Sequence, residues 1–234
     1  MEGRRQPVGF REVKAEVLDR IRTKTWPPGT LLPSELDLAE EFRCARATVN
    51  RAMRELADSG IIDRKRKAGS RVSETPVRQA TIGIQRIRDE VERGGAAYRY
   101  ALVNRLVQDA PDWLIARLDL KSGARVVHLE CMHYSDSSPF LFEERWISID
   151  AAPGAEEADF TELSPNEWLV REMPFTNAEF TMYASGASDK LVAFLSVAPG
   201  EPIFTVERTT WIGEESITFA RLFYGRGYRL TTRT

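Results

Sequence analysis

The stretch from Leu32 to Val72 constrains this chain more than any other, because it sets out two short amphipathic helices, a glycine stop and a cationic hairpin in unbroken order. Ser34 stands where a side-chain oxygen can cap free helix amides, and Glu35 suits the positive end of the helix dipole. Leu36, Ala39 and Phe42 follow at three-residue steps, which predicts one buried face. After a turn at Arg43 and Cys44, a second helix places Val49, Ala52, Met53, Leu56 and Ala57 on its apolar stripe. Its opposite face carries Arg46, Thr48, Asn50, Arg51 and Arg54, a set of donors for phosphate oxygens and base edges. Gly60 sits where a helix ends in a left-handed residue. Residues 63–72 then read as a hairpin whose tip holds Arg66, Lys67 and Gly69, cations suited to sugar and phosphate. Each piece alone is an ordinary solvated surface. In this order they predict a winged helix-turn-helix that reads DNA.

The charge distribution supports that division. The net charge of -2 conceals two halves: residues 1–76 carry 16 Lys and Arg against 12 Asp and Glu, and the remainder carries 17 against 23. Attraction to phosphate needs the positive half to be the one with the helix-turn-helix. Ahead of it, Phe10 to Thr23 reads as a helix with Val13, Val17, Leu18 and Ile21 inward, closed by the turn Trp26 to Gly29. Glu74, Thr75 and Pro76 break the pattern, so the expected domains are 1–76 and 77–234.

Beyond Ala80 the texture becomes strands with inserted helices. Helices are expected over 85–93, 112–118, 166–171 and 189–195. Strands are expected over 98–107, 124–134, 139–149, 177–184, 201–211 and 216–224. Strands joined by tight turns argue an α+β domain on an antiparallel sheet, and exclude a doubly wound one. Period-two alternation puts Leu129, Cys131 and His133 on one face of their strand, and Leu141, Glu143 and Arg145 together on the next. His133 and Glu143 would offer a switchable donor and an acceptor to a small polar ring. Arg221 or Arg145 would meet a carboxylate with a two-pronged donor. His133 alone is as consistent with a satisfied core residue, Glu143 and Arg145 with a cross-strand ion pair, and Tyr98, Arg99 and Tyr228 with packing.

Other function classes find little support. No apolar run reaches membrane-span length, and residues 1–6 lack the apolar core of a signal peptide, so a cytoplasmic protein is expected. Cys44 and Cys131 show no pairing or metal-ligand pattern and are read as reduced. No metal-spaced histidine pair, glycine-flanked serine nucleophile or phosphate-cradling loop is present, which argues against an enzyme and against a cofactor.

The residues Pro33-Ser34-Glu35, Leu38-Ala39, Phe42, Arg46, Thr48-Val49, Arg51-Ala52, Leu56, Gly60 and Gly69 resemble the winged helix-turn-helix of GntR-type bacterial transcription regulators over about residues 8–75. The resemblance implies that Arg46, Thr48 and Asn50 lie at the operator and that Ser34 and Glu35 open the supporting helix. Ala45 stands where the family often has a serine or threonine, and Asn50 where other branches have arginine. The order of elements after residue 78 resembles the UTRA effector domain, whose fold is related to chorismate lyase. Within it Cys131, His133, Pro139-Phe140, Glu143 to Arg145, Thr218, Ala220 to Leu222 and Tyr228 to Leu230 resemble the histidine-utilisation repressor subgroup. That resemblance implies a homodimer on a near-palindromic operator, released by an inducer such as urocanate, the first product of histidine breakdown. Another small carboxylate or a sugar-derived metabolite remains open. Phosphate is disfavoured, since Ile82-Gly83-Ile84, Cys131 and His133 stand where phosphate sensors of this domain type place hydroxyls and arginines.

Overall fold

The structure is a computed structural model and describes residues 8–58, 60–65, 69–73, 86–173 and 175–231. The chain forms two compact units, residues 1–79 with 174–177 and residues 80–173 with 178–234.

The first unit contains α1 (Phe10–Arg22), α2 (Glu35–Glu41), α3 (Arg46–Asp58) and a two-stranded ribbon of β1 (Ile62–Lys65) and β2 (Gly69–Val72). Val13, Val17 and Ile21 of α1 are buried together with Leu38 and Ala39 of α2 and Val49, Ala52, Met53 and Leu56 of α3. Ala39 is buried as expected, but Leu36 is 65% exposed, because α2 turns Leu38 inward in its place. Phe42 is half-buried beneath the Arg20 guanidinium, which lies 5.2 Å from its ring and also bonds Glu41 at 2.5 Å, tying α1 to α2.

Both ends of the helix pair are closed as their residues require. Ser34 Oγ accepts from Asp37 N at 3.2 Å while Asp37 Oδ2 accepts from Ser34 N at 3.1 Å, a reciprocal capping box. Ser34→Ala is expected to cost about 1 kcal/mol of stability by leaving amides of α2 unsatisfied, read as a lowered melting temperature. At the end of α3, Gly60 N reaches Ala57 O and Ile61 N reaches Leu56 O, with Gly60 at φ 69°, which is a Schellman closure. Residues 29–32 run beside β2 through Leu32 N to Ser70 O and Val72 N to Thr30 O. Gly69, at φ 81°, leaves only 3.2 Å between a hypothetical Cβ and Leu31, so this corner of the wing admits little else.

The second unit is a six-stranded sheet in the order β3-β4-β5-β8-β7-β6, built from β3 (Tyr98–Asp109), β4 (Arg125–Ser135), β5 (Ser138–Ser148), β6 (Asn177–Gly186), β7 (Pro202–Ile212) and β8 (Glu215–Tyr224). The helices are α4 (Ile87–Arg93), α5 (Asp112–Leu118), α6 (Pro165–Glu172) and α7 (Asp189–Leu195), with a 3-10 turn at Pro153–Ala155 that local patterning does not announce. Their order agrees with the α+β architecture expected from the sequence. One sheet face packs Met132 and Phe142 on Leu191 and Leu195 of α7, and Val126, Trp146 and Phe219 on Leu114 and Leu118 of α5. The opposite face, called inner below, packs Leu141, Val206, Ala220 and Leu222 on Ile87 of α4. Residues 156–167 also reach that side: the Tyr100 hydroxyl bonds Phe160 O at 2.8 Å, and Arg208 bonds Asn166 Oδ1 at 2.5 Å.

Candidate functional site

Two groups of side chains carry chemistry, one in each unit. In the first unit, Arg46, Arg51 and Arg54 are exposed on α3, while Thr48 and Asn50 are half-buried. Glu35 is more than a helix opener. Its carboxylate accepts from Asn50 Nδ2 at 2.8 Å and from Arg64 at 2.5 Å, and stands 3.5 Å from Arg46 Nε. It therefore joins the start of α2 to the exposed face of α3 and to the base of the wing. Arg54 bonds Asn50 Oδ1 at 3.4 Å. Arg51 leans toward α1, its guanidinium 3.7 Å from the Phe10 ring and its Nε 3.5 Å from Glu55. Arg66 and Lys67 lie outside the described residues, whereas Gly69 opens β2.

In the second unit, strand register decides which side chains share the inner face. Tyr100 pairs with His133, Cys131 with Glu143, Glu143 with Leu222, and Arg145 with Ala220, which in turn faces Arg208. His133, Glu143 and Arg145 are all 0% exposed. The Tyr98 hydroxyl lies 2.8 Å from His133 Nδ1, and His133 Nε2 lies 3.1 Å from Glu143 Oε2. Arg145 Nε donates to Glu143 Oε1 and Arg145 Nη1 to Thr218 Oγ1 at 3.3 Å. Burial alone would raise the Glu143 carboxyl, but the Arg145 charge and the His133 hydrogen bond outweigh it and hold the group at about 2. Burial also pushes the Tyr98, Tyr100 and Cys131 protons to higher pH, so these groups stay neutral donors. At the edge of the cluster Arg88 bonds Glu167 at 2.9 Å and lies 4.5 Å over the Tyr98 ring.

Tyr98, His133, Glu143 and Arg145 thus form one chain of contacts, with Glu143 and Arg145 bonded to each other rather than left open. Tyr228 is separate from it, stacked at 3.7 Å on Tyr224 and bonded to Glu90 at 2.7 Å. Two expected members need correction. Arg221 faces Glu144 and Glu207 across the sheet, bonds Glu207 at 2.9 Å and lies over Trp113, all on the side away from Glu143. Arg99 is exposed and rests 3.7 Å over the Tyr134 ring. Successive residues of a strand point to opposite faces, so neither Arg99 beside Tyr98 nor Arg221 beside Ala220 can join the inner cluster.

Residues 10–72 match the family described as bacterial regulatory proteins, gntR family, and residues 93–230 match the UTRA domain. The chain belongs to the GntR family. This GntR regulator, of the branch with a UTRA domain, is 31% identical to the histidine utilization repressor of Pseudomonas putida, over 96% of this chain and 91% of that protein. The repressor of the same name from Klebsiella aerogenes is 28% identical, over 96% and 93%. Among solved structures, the C-terminal domain of the histidine utilization repressor from Pseudomonas syringae aligns at a TM-score of 0.55 and 28% identity, covering 58% of this chain and 98% of that one. PhnF from Mycobacterium smegmatis aligns at 0.56 and 26%, covering 94% and 96%.

The family match makes this GntR protein a DNA-binding regulator. One buried arginine of the inner face, Arg208, is not singled out by the sequence pattern. Arg208 is 4% exposed on the inner face, so the buried charges among the described residues are two guanidiniums, Arg145 and Arg208, and one carboxylate, Glu143. The available signal was an arginine at the inward parity of β7, between Val206 and Thr210. Cys44 and Cys131 are both free thiols. The His128, Glu130 and Glu144 group on the α7 side has metal-like spacing, but Lys190 already supplies its cation, bonding Glu130 at 2.5 Å and Glu144 at 2.7 Å. No helix among the described residues is long and apolar enough to cross a membrane.

Proposed function

We propose that this regulator represses histidine-utilisation genes in the cytoplasm and releases its operator when urocanate, or a closely related small carboxylate, binds on the inner face of residues 77–234. In this reading residues 1–76 are the reading head, and two copies paired through the effector domains grip a near-palindrome. The observation that carries the reading is the chain Tyr98–His133–Glu143–Arg145, which sets a neutral phenol, an imidazole, a carboxylate and a guanidinium each within hydrogen-bond reach of the next, the last three fully buried. Such a set suits a planar ligand with a polar ring at one end and an anion at the other. The two named repressors, similar along nearly the whole chain, agree with it.

Release needs only a modest coupling. A ligand that favours an arrangement in which the two recognition helices miss successive groove turns weakens binding tenfold for about 1.4 kcal/mol of differential affinity. The test is a titration of the protein on its own upstream promoter DNA with urocanate, histidine, other imidazoles and a sugar phosphate. Urocanate is expected to release the DNA at the lowest concentration. Release by the sugar phosphate, with none by urocanate, would overturn the assignment.

A further inference from the structure

We propose that Asn50 reads an adenine of the operator through its side-chain amide, and that Glu35 is the residue that positions it. The proposal rests on residues 1–76 as the reading head with α3 as its recognition helix, and adds which base that helix selects. Asn50 lies early in α3, the part of a recognition helix that meets base edges. Its half-buried amide is held on two sides. Nδ2 donates to Glu35 Oε1 at 2.8 Å, and Oδ1 accepts from Arg54 Nη2 at 3.4 Å. A carboxylate only accepts and a guanidinium only donates, so these two neighbours decide which end of the amide is nitrogen and which is oxygen. A half-turn of the amide would set oxygen against Glu35 and N–H against Arg54, losing both bonds.

The hydrogen bonds left over select the base. A primary amide has two N–H donors and two acceptor lone pairs on its oxygen. One of each is taken, so Asn50 keeps one donor and one acceptor. Adenine presents the matching pair in the major groove, an acceptor at N7 and a donor at its amino group, whereas guanine presents two acceptors. An arginine at this position would offer donors alone and would match guanine, so the asparagine changes the base preferred. Glu35 itself is occupied. Its carboxylate also accepts from Arg64 at 2.5 Å and stands 3.5 Å from Arg46 Nε, which balances its charge beside a phosphate-lined groove. It therefore acts through Asn50 rather than on a base.

The experiment measures binding of the full chain to its own upstream promoter fragment, mapped first by single base-pair changes. The unaltered protein is expected to prefer A·T at one position of each half-site. At that adenine 7-deazaadenine, which carries C–H in place of N7, should weaken binding by roughly tenfold. Asn50→Ala keeps a good helix former in α3 and, with a cooperative melting transition, should lose the preference at that position alone and bind natural and 7-deaza fragments equally. Glu35→Gln, whose amide either donates or accepts, should relax the preference at the same position while the other positions keep theirs, an effect that a purely structural role would not confine to one base pair. Tolerance of 7-deazaadenine at every adenine of the bound site, or an intact preference in folded Asn50→Ala, would overturn adenine reading while leaving operator binding in place. A full preference in Glu35→Gln would overturn the positioning role. Failure of the unaltered protein to bind the fragment at all would instead overturn the reading head on which the proposal rests.

Discussion

Glu143→Gln is expected to unfold at pH 7 at a markedly lower temperature than the parent protein, by roughly 10 °C. Glu143 is the only buried carboxylate among the described residues, and it is bonded to a buried guanidinium. Removing its charge strands Arg145 in a dry interior, a change that costs about 3–5 kcal/mol where one partner of a buried pair is lost. At about 2–4 °C per kcal/mol for a domain of this size, the shift is large enough to read directly. Four of the five tryptophans, Trp113, Trp146, Trp168 and Trp211, belong to the second unit, so fluorescence follows it. The pH dependence gives an independent check. The carboxyl falls from its ordinary 4.5 to about 2 on folding. Its contribution is therefore fully present above pH 4.5 and is lost as the pH drops through about 2. The glutamine protein should lack that component, so the two melting curves should converge between pH 4.5 and 2. Equal melting temperatures at pH 7 would show that the Glu143–Arg145 pair does not hold this layer together.

The elements were legible because the signals that make them are local. Ser34 caps α2, Gly60 closes α3, and alternation groups Cys131 with His133 along β4 and Glu143 with Arg145 along β5. What local patterning cannot supply is the parity of one strand against another far away in sequence. Arg221 looked as suitable as Arg145 for a carboxylate, but the β5–β8 register sets Arg221 opposite Glu144 and puts Ala220 opposite Arg145. A shift of one residue would have exchanged their faces. The same register brings Arg208 into the row, a pairing that only the assembled sheet defines. In the first unit, three-residue spacing allowed Leu36 to face inward, whereas the packing of Leu38 and Ala39 turns it out. The tie between Glu35, Asn50 and Arg64 spans up to 29 residues and leaves no mark in either helix read alone.

Arg46→Ala is expected to weaken operator binding by about 10- to 100-fold, the loss of roughly 1–3 kcal/mol that accompanies removal of a specific guanidinium contact. Among the α3 arginines this one is best placed to meet DNA. Its side chain is 70% exposed, and its ion pair with Glu35 is a long one at 3.5 Å, so little is given up when it turns to a base edge or a phosphate. Arg51 is differently engaged, spread over Phe10 and paired with Glu55, and Arg51→Ala should cost less affinity. Salt separates the two roles open to Arg46. A phosphate contact predicts weaker binding to every sequence and a plot of log affinity against log salt shallower by about 1. A base contact predicts an almost unchanged slope and relaxed preference at one operator position. Glu35 bears on this choice, since it also holds Asn50 and Arg64, and Arg46→Ala leaves those two bonds in place. The remaining head should therefore keep its shape, so the loss reports the missing contact. Unchanged affinity for the promoter fragment at moderate salt would remove Arg46 from the interface and shift the reading role to Asn50 and Arg54.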